Sequence, residues 1–151
     1  MLGDTPLELE RDGYVLTTSR AKIAVDDTLA LVRTTWWARE LPRERLVRAM
    51  ENSICFAVTR DETLVGFARS VTDLATYAYL CDVVVTPEHG RRGLAQWIVE
   101  TWLSHPQLQG LRRFSLMSTD AKALYAKFGF NGDEREHYMS LKPLRGNDAS
   151  Q

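Results

Sequence analysis

The sequence predicts a single α/β domain in which a central mixed β-sheet is flanked by helices. Of its 151 residues, 44% are hydrophobic and 26% are charged, which is the ordinary composition of a globular domain with one core. Apolar runs of strand length alternate along the chain with segments whose apolar residues recur at helical spacing. No repeat or low-complexity linker interrupts this order. One domain over residues 1–151 is therefore expected, with loose termini at about 1–12 and 145–151.

The first half of the chain predicts a strand, two helices and a hairpin. The segment YVLTT, from Tyr14, has the composition of a strand. VDDTLALVRTT, from Val25, has helical spacing and carries two aspartates near the positive end of the helix dipole. A second, shorter helix is predicted from about Pro42. Two strand runs follow, at 54–59 and 64–71, and the turn-forming residues between them predict a hairpin.

The second half predicts three more strands and two more helices. Nearly every position of the run 77–85 is apolar, as in a central strand that is covered on both faces. After Pro87 the spacing becomes helical and stays so until Pro106. RRFSLMS predicts a further strand, DAKALYAKF a short helix that Gly129 ends, and REHYMSLK, at 135–142, a last alternating strand.

Charge and composition argue against several classes of function. The formal net charge is −1, so no overall field would attract nucleic acid or an anionic membrane surface. No segment is apolar for the roughly 18 residues of a membrane span, and the first residues lack a signal-peptide pattern, so a cytoplasmic location is expected. Cys55 and Cys81 lie in apolar strand runs and are expected to be reduced core thiols. His89, His105 and His137 are not spaced as metal ligands, so we expect surface or turn histidines and no metal.

The most informative stretch is TPEHGRRGLAQWIVE, at 86–100, where the predicted central strand gives way to a helix. The first N–H groups of a helix lack intrahelical partners and the helix dipole is positive there, so such a junction binds anions, phosphates especially. Gly90 and Gly93 allow a diphosphate to approach the main chain, and Arg91 and Arg92 add positive charge. The alternative is a glycine-punctuated loop with solvated arginines. The stretch matches neither the Walker motif nor GxGxxG.

This loop resembles the acyl-CoA loop of the GCN5-related N-acetyltransferase (GNAT) family, whose motif is (Q/R)xxGx(G/A) and which here reads GRRGLA. The longer stretch LCDVVVTPEHGRRGLAQWIVE resembles that family's fourth strand, loop and third helix, and DAKALYAKFGF resembles a second family segment. Together they cover roughly residues 77–130. One position departs from the motif, because Gly90 stands where the family normally has Gln or Arg.

The resemblance implies an N-acetyltransferase that moves the acetyl group of acetyl-CoA, its co-substrate, to a primary amine of a small molecule or peptide by direct attack. The main chain of the central strand should hold the pantetheine and polarise the thioester carbonyl. The residues expected to bind CoA are Val83, Val84, Val85, Gly90, Arg91, Arg92, Gly93, Leu94, Ala95, Ser118 and Tyr125. The alternatives are a non-catalytic acyl-CoA binding or sensing module, favoured by Gly90, and a protein-interaction module that has lost the cofactor.

Two side chains are candidates for moving protons in such a reaction. The resemblance implies that Tyr125 is the acid for the departing thiolate, unless it is a core tyrosine. Asp82 is a carboxylate inside an apolar strand, and the hypotheses for it are a general base or an internal ion pair with an arginine such as Arg69. Asp73 is a weaker candidate for the base. Ser118 lies where many relatives have Asn, or is only a helix cap.

The amine acceptor is expected against the N-terminal helices, where the sequence reads TTWWARELPRE. Trp36 and Trp37 are adjacent and cannot both face one core, so one of them is a candidate for cation–π contact with the amine, and packing of both is the alternative. The expected partner is therefore a small-molecule or peptide amine, with no nucleic acid and no membrane. An unpaired edge strand leaves a homodimer open.

Overall fold

The computed structural model of the protein describes residues 1–132 and 138–143. In these residues six strands and four α-helices follow one another along the chain. They are β1 (Glu8–Arg11), β2 (Tyr14–Thr17), α1 (Val25–Val32), α2 (Arg43–Glu51), β3 (Ile54–Arg60), β4 (Thr63–Thr72), β5 (Tyr77–Val85), α3 (Leu94–Ser104), β6 (Arg113–Leu116) and α4 (Lys122–Ala126).

The strands form one sheet in the order β1-β2-β3-β4-β5-β6, so each strand lies beside its neighbours in sequence. All pairs are antiparallel except β5 and β6, which are parallel and are joined through α3. Antiparallel neighbours need only tight turns, whereas a parallel pair needs a crossover connection. The predicted mixed sheet flanked by helices is confirmed.

Helices cover the sheet from both sides and create two cores. Along β3, side chains alternate between the faces, as the pleat of a strand requires. Phe56 belongs to a cluster with Ile98 and Trp102 of α3, and all three side chains are fully buried. Ala57 belongs to the opposite cluster, where α1 and α2 supply Val32, Leu46 and Met50. The sheet is therefore buried on both faces near its centre, which fixes its register.

Part of the N-terminal segment that the sequence predicts to be loose is a strand. Residues 8–11, inside the segment predicted to be loose, form β1 and pair with β2 from Glu8 opposite Thr17 to Arg11 opposite Tyr14. Asp12 and Gly13 make the turn, with φ angles of 52° and 82°. A two-residue Asp-Gly turn with positive φ at both positions is a strong hairpin signal, so the missed strand has a sequence signature.

Two further expectations need correction. Of the last predicted strand, 135–137 lies outside the described residues, and 138–142 belongs to no strand. The run 77–85 is a strand, but it is not buried throughout: Ala78 and Leu80 are buried, most of the other side chains are half-buried, and Tyr77 is exposed. The apolar sequence of β5 therefore lines an accessible opening over part of its length. The terminal segment 145–151 lies outside the described residues.

Candidate active site

The opening lies beside the second half of β5. Residues 77–80 of this strand pair with 113–116 of β6, and the two strands share no further pairing in the described residues. From Cys81 to Val85, β5 therefore pairs with β4 and with no other strand of residues 1–132 and 138–143. Main-chain N–H and C=O groups on the free side of this segment have no neighbouring strand in the described part of the chain. An extended ligand can pair there as an added strand.

At the end of β5 the chain turns sharply into α3. The Thr86 N–H donates to the Val65 carbonyl at 2.8 Å, and a short 3-10 turn, Pro87–His89, follows. Arg91 has a φ of 60°, and Gly93 a φ of 74° at the N-cap of α3. The first bond into the helix is from the Trp97 N–H to the Gly93 carbonyl, at 2.9 Å. The preceding N–H groups thus have no helical acceptor and suit an anion.

The space around this loop is compatible with a bulky anion. A Cβ added to Gly93 would meet no atom of the described residues within 4 Å, so the space beside its Cα is open. The Thr86 hydroxyl oxygen, at the end of β5, is buried and has no hydrogen-bond partner among the described residues. A buried oxygen without a hydrogen bond destabilises the folded protein unless a ligand or a water molecule forms a hydrogen bond with it. Arg92 and Gly93 also line a pocket of about 250 Å³ with Arg11 and Trp97.

A β-bulge places Asp82 in the wall of β5. Phe67 pairs with Val84 and Arg69 with Cys81, so both Asp82 and Val83 lie opposite the single residue Ala68. Asp82 has a φ of 54°, which is uncommon for a residue with a side chain. Bulges re-aim side chains and often occur next to active sites. The bulge explains how a charged residue is accommodated in this apolar strand.

Asp82 forms an ion pair with Arg69, which was one of the two hypotheses for it. Arg69 Nε donates to Asp82 Oδ2 at 2.5 Å, and Arg69 Nη1 donates to Ser53 Oγ at 3.3 Å. Only 12% of the Arg69 side chain and 16% of the Asp82 side chain are exposed. Burial lowers the pKa of Arg69, but the Asp82 carboxylate, together with Cys81 and Cys55, more than offsets this effect, so the pKa of Arg69 is raised and its side chain stays charged.

Asp82 and Arg69 also line a narrow pocket between the sheet and the N-terminal helices. Its other walls include Trp37, Leu41 and Leu46. Trp36 meets Trp37 edge to face at 5.7 Å between ring centroids, but 72% of Trp36 is exposed. The structure thus brings Trp37 together with Asp82 and leaves Trp36 on the surface.

Comparison with known proteins identifies the family to which this arrangement belongs. Residues 23–130 match the model of the acetyltransferase (GNAT) family. The chain belongs to this family. It is 32% identical to a protein of Gibberella zeae that is named as an acetyltransferase, over 81% of each chain. It is 35% identical to a GNAT-family crystal structure from Xanthomonas campestris pv. campestris, with a TM-score of 0.82, over 93% of this chain and 99% of that one.

A second solved structure shows how widely the fold extends. It is a protein of Staphylococcus aureus with a TM-score of 0.71, over 87% of this chain and 99% of that one, and it is 20% identical. At that identity the likeness concerns the fold alone. The family model and the two closer relatives carry the functional conclusion: the protein is a GNAT acetyltransferase, and thus an acyltransferase.

Tyr125 of this GNAT domain lies in α4 and is 7% exposed. It belongs to the same core cluster as Val83 and Val85 of β5, so the structure brings it to the side of the sheet that carries α3. Its hydroxyl makes no hydrogen bond to the described residues. Burial, with a smaller contribution from Asp120, raises the pKa of this phenol, which therefore stays protonated at neutral pH.

Ser118 and Asp73 have structural partners. The Ala121 N–H donates to Ser118 Oγ at 3.0 Å, which is the cap named as the alternative for this residue. Asp73 accepts N–H bonds from Ala75, Thr76 and Tyr77 in the exposed turn between β4 and β5. A hydrogen bond from the Thr76 side chain, together with these N–H groups, holds the pKa of Asp73 far below its usual range. Such a carboxylate is a poor base.

The structure describes both cysteines, and it describes His105 but not His137. Cys55 and Cys81 are free thiols, and burial raises the pKa of each to about 12. His105 lies in a turn and is fully buried, while His137 lies outside the described residues.

Within 1–132 and 138–143, no group of three or more His, Cys, Asp and Glu residues could hold a metal. No helix there has the length and hydropathy to cross a membrane.

Three residues near the site were not predicted as functional from the sequence. They are Ser53, which accepts a hydrogen bond from Arg69, Thr86, whose hydroxyl oxygen has no partner within the described ranges, and Tyr14, whose hydroxyl lies 2.7 Å from His89 Nδ1. The contact between Tyr14 and His89 joins residues that are 75 positions apart in sequence, and the contact between Ser53 and Arg69 joins residues that are 16 positions apart. Periodicity within a segment carries no information about contacts of that kind. No sequence signal singled out Thr86.

Proposed function

We propose that the protein transfers the acetyl group of acetyl-CoA to a primary amine of a small molecule or peptide by direct attack. The proposal rests on one observation: an open strand edge and an anion-binding loop directly follow each other. The edge of β5 from Cys81 to Val85, which pairs with no strand on that side in the described part of the chain, leads into a loop whose main-chain N–H groups lie at the start of α3. An extended pantetheine followed by a pyrophosphate matches an open strand edge followed by an anion site.

CoA is held mainly by main chain in this proposal. Val83, Val84 and Val85 offer the strand edge, and the carbonyl of the thioester is polarised by an N–H group there. The pyrophosphate lies against residues 90–95, where Arg91 and Arg92 supply charge in place of the side chain that Gly90 lacks. Thr86 Oγ1 is a further hydrogen-bonding group available to CoA or to a water beside it. Ser118 caps the turn that leads to Tyr125 and adds a boundary to the cleft.

The reaction needs one base and one acid. The acceptor nitrogen attacks the thioester carbon, an N–C bond forms and the C–S bond breaks. Asp82 takes one proton of the acceptor ammonium, directly or through water, and Tyr125 donates a proton to the departing thiolate. The second proton that the nitrogen loses as the amide forms restores the Tyr125 phenol, so the reaction releases one proton overall. A raised pKa suits Tyr125 to this role because the phenol must carry its proton before the thiolate leaves. The acetylated amine and free CoA are the products.

The acceptor reaches Asp82 from the side of the N-terminal helices. Trp37 and Asp82 line the same pocket of about 20 Å³, which has room for an amine group, so the Trp37 ring can contact that group. Trp36 extends the same aromatic surface toward solvent. The cytoplasmic location and the homodimer expected from the sequence stay predictions.

The test is a binding measurement followed by turnover. Calorimetry should show acetyl-CoA binding in the micromolar range, about 7 to 8 kcal/mol. Release of free thiol with a panel of primary amines should then identify acceptors. Binding without thiol release for any amine would favour the second candidate, a non-catalytic acyl-CoA binding or sensing module, which the glycine at position 90 supports. No binding and no thermal shift with CoA would exclude both.

A further inference from the structure

Three polar side chains form a chain of hydrogen bonds that ends in the wall of the narrow pocket beside Trp37. Ser53 follows α2, and its Oγ accepts from Arg69 Nη1 at 3.3 Å. Arg69 Nε in turn donates to Asp82 Oδ2 at 2.5 Å. The chain therefore runs from the end of α2, across β4, to the bulge in β5. Only 7% of Ser53 is exposed, so each link is shielded from bulk water.

Packing fixes the Arg69 end of this chain. Arg69 lies between Cys55 on β3 and Cys81 on β5, each of which is its direct cross-strand partner. The Cys81 thiol also donates to the Arg69 carbonyl at 3.6 Å. The stem of the arginine is thus held from both sides, and its guanidinium offers a planar set of donors in a defined direction.

In the described residues, Asp82 lacks the cross-strand packing that holds Arg69. It is the residue at the bulge, where one ladder position is lost. Its carboxylate takes a hydrogen bond on Oδ2 from Arg69, and Oδ1 receives none from the described residues. Among the described residues, Arg69 is therefore the group that holds the rotamer of Asp82, and Oδ1 is the oxygen available to a ligand.

We propose that Arg69 is a positioning residue for acetyl transfer: held by Ser53, it keeps Asp82 in the orientation in which Oδ1 meets the acceptor amine. The inference rests on the proposed function, in which Asp82 is the base. The main chains of β4 and β5 already pair on both sides of the bulge, so the strands do not need an ion pair to join them. Apolar side chains can replace a buried ion pair without loss of stability. Both charged residues, moreover, line the pocket.

A double-mutant cycle tests this inference through kcat. Arg69→Ala should lower kcat by about 100-fold, the scale of a misplaced catalytic group, and leave the affinity for acetyl-CoA unchanged. In the Asp82→Asn background the same change should have no further effect on kcat, because Arg69 acts only through Asp82. Added guanidinium at millimolar concentration should restore part of the activity of Arg69→Ala and none of that of Asp82→Asn.

Arg69→Lys covers the case in which Arg69→Ala does not fold. Lysine keeps the charge but lacks the planar fork that bridges Ser53 and Asp82, so kcat should fall by about 10-fold. Arg43→Ala is the matched control, because Arg43 Nε also donates to an aspartate, Asp26, at 2.7 Å, but on the surface. It should leave kcat unchanged.

The outcomes separate this inference from the proposed function. A wild-type protein that releases no thiol, or an Asp82→Asn variant with wild-type kcat, would overturn the role of Asp82 itself and this inference with it. If Asp82→Asn loses activity while Arg69→Lys and Arg69→Ala keep theirs, only the positioning role is wrong. Losses that multiply in the double variant would equally contradict it, since Arg69 would then act independently of Asp82.

Discussion

The Tyr14 hydroxyl lies 2.7 Å from His89 Nδ1, which links β2 to the loop that precedes α3. The two rings meet edge to face at 5.6 Å between centroids, and the Arg60 guanidinium covers the Tyr14 ring at 4.8 Å. His89 ends the 3-10 turn directly before Gly90. The proposed phosphate-binding loop is therefore anchored from outside its own sequence motif.

Removing this anchor should weaken CoA binding. Tyr14→Phe keeps the ring and its stacking with Arg60 but loses the hydrogen bond, which is worth about 1 kcal/mol or roughly a fivefold change in Kd. Calorimetry with acetyl-CoA measures the effect. Tyr77→Phe is the control, because it also loses a hydroxyl contact, with Ser115, away from the loop. Equal affinity in the Tyr14 variant and the wild type would show that the loop does not need this bond.

Gly93 should be irreplaceable for CoA binding. Its φ of 74° disfavours any side chain, at a cost of about 1 to 2 kcal/mol of stability, and a side chain would also fill the approach to the main-chain N–H groups. Gly93→Val should therefore abolish binding in a titration with acetyl-CoA. Gly110 has a φ of 79° and equally open surroundings near the other end of α3. Gly110→Val should cost similar stability and bind normally; unchanged binding by Gly93→Val would place the site elsewhere.

Restoring the family residue at position 90 should maintain or improve affinity. Gly90 has a φ of −65°, which any residue adopts, and an added Cβ would lie 3.2 Å from the Pro87 carbonyl oxygen, so a small shift of the loop suffices. Gly90→Arg should bind acetyl-CoA as tightly as the wild type or more tightly, as measured by calorimetry. Gly90→Ala carries the same Cβ without the charge. A large loss in the arginine variant alone would mean that the loop is arranged differently from those of its relatives.

Tyr125→Phe should reduce turnover without unfolding the protein. The ring keeps its edge-to-face contact with Phe130, at 6.2 Å, and only the hydroxyl is lost. Thiol release should fall by about 100-fold or more, the scale of general acid catalysis. Because burial raises the pKa of Tyr125, the wild-type rate should show no loss from ionisation of this phenol below about pH 10. Wild-type turnover in the variant would leave Tyr125 as a core residue.

The sequence predicts those features that depend on local pattern. The spacing of Leu94, Ile98 and Trp102 predicts α3, and its glycine-arginine start predicts the anion site. The bulge at Asp82, and the choice of Arg69 as its partner, depend on the register between β4 and β5. That register cannot be read from the sequence pattern of either strand alone. The sequence alone offers Arg69 as one example of an arginine that could pair with Asp82. The missed β1 is different, because the Asp12-Gly13 turn that predicts it is present in the sequence.

Tertiary packing decides which of the candidate site residues come together. The sequence places Trp36 and Trp37 side by side, and only the packing of the segment between α1 and α2 decides that Trp37 lines the pocket. Ser118 and Tyr125 are near each other in sequence, yet the hydroxyl of Ser118 is already engaged with Ala121. Local motifs therefore predict a candidate region, whereas tertiary contacts decide which partners each side chain in that region has.

Asp82→Asn should show both a structural and a catalytic effect. The change leaves Arg69 without its charged partner in a site where both side chains are largely buried. Breaking such a pair costs on the order of 3 to 5 kcal/mol, or about 10 °C in melting temperature. If Asp82 also accepts the ammonium proton, kcat/KM of the folded fraction should fall most at low pH, where less of the amine is free.

Melting curves and a pH–rate profile of this one variant distinguish the two effects. Asp26→Asn is the control, because Asp26 pairs with Arg43 at a similar distance on the surface, where an ion pair contributes little to stability. Its melting temperature and kinetics should match those of the wild type. A lower melting temperature for Asp82→Asn with normal kinetics in the folded fraction would contradict the catalytic assignment and leave the pair a purely structural one. Loss of activity with acetyl-CoA affinity preserved would instead support Asp82 as the base, because an asparagine of the same shape cannot accept the proton.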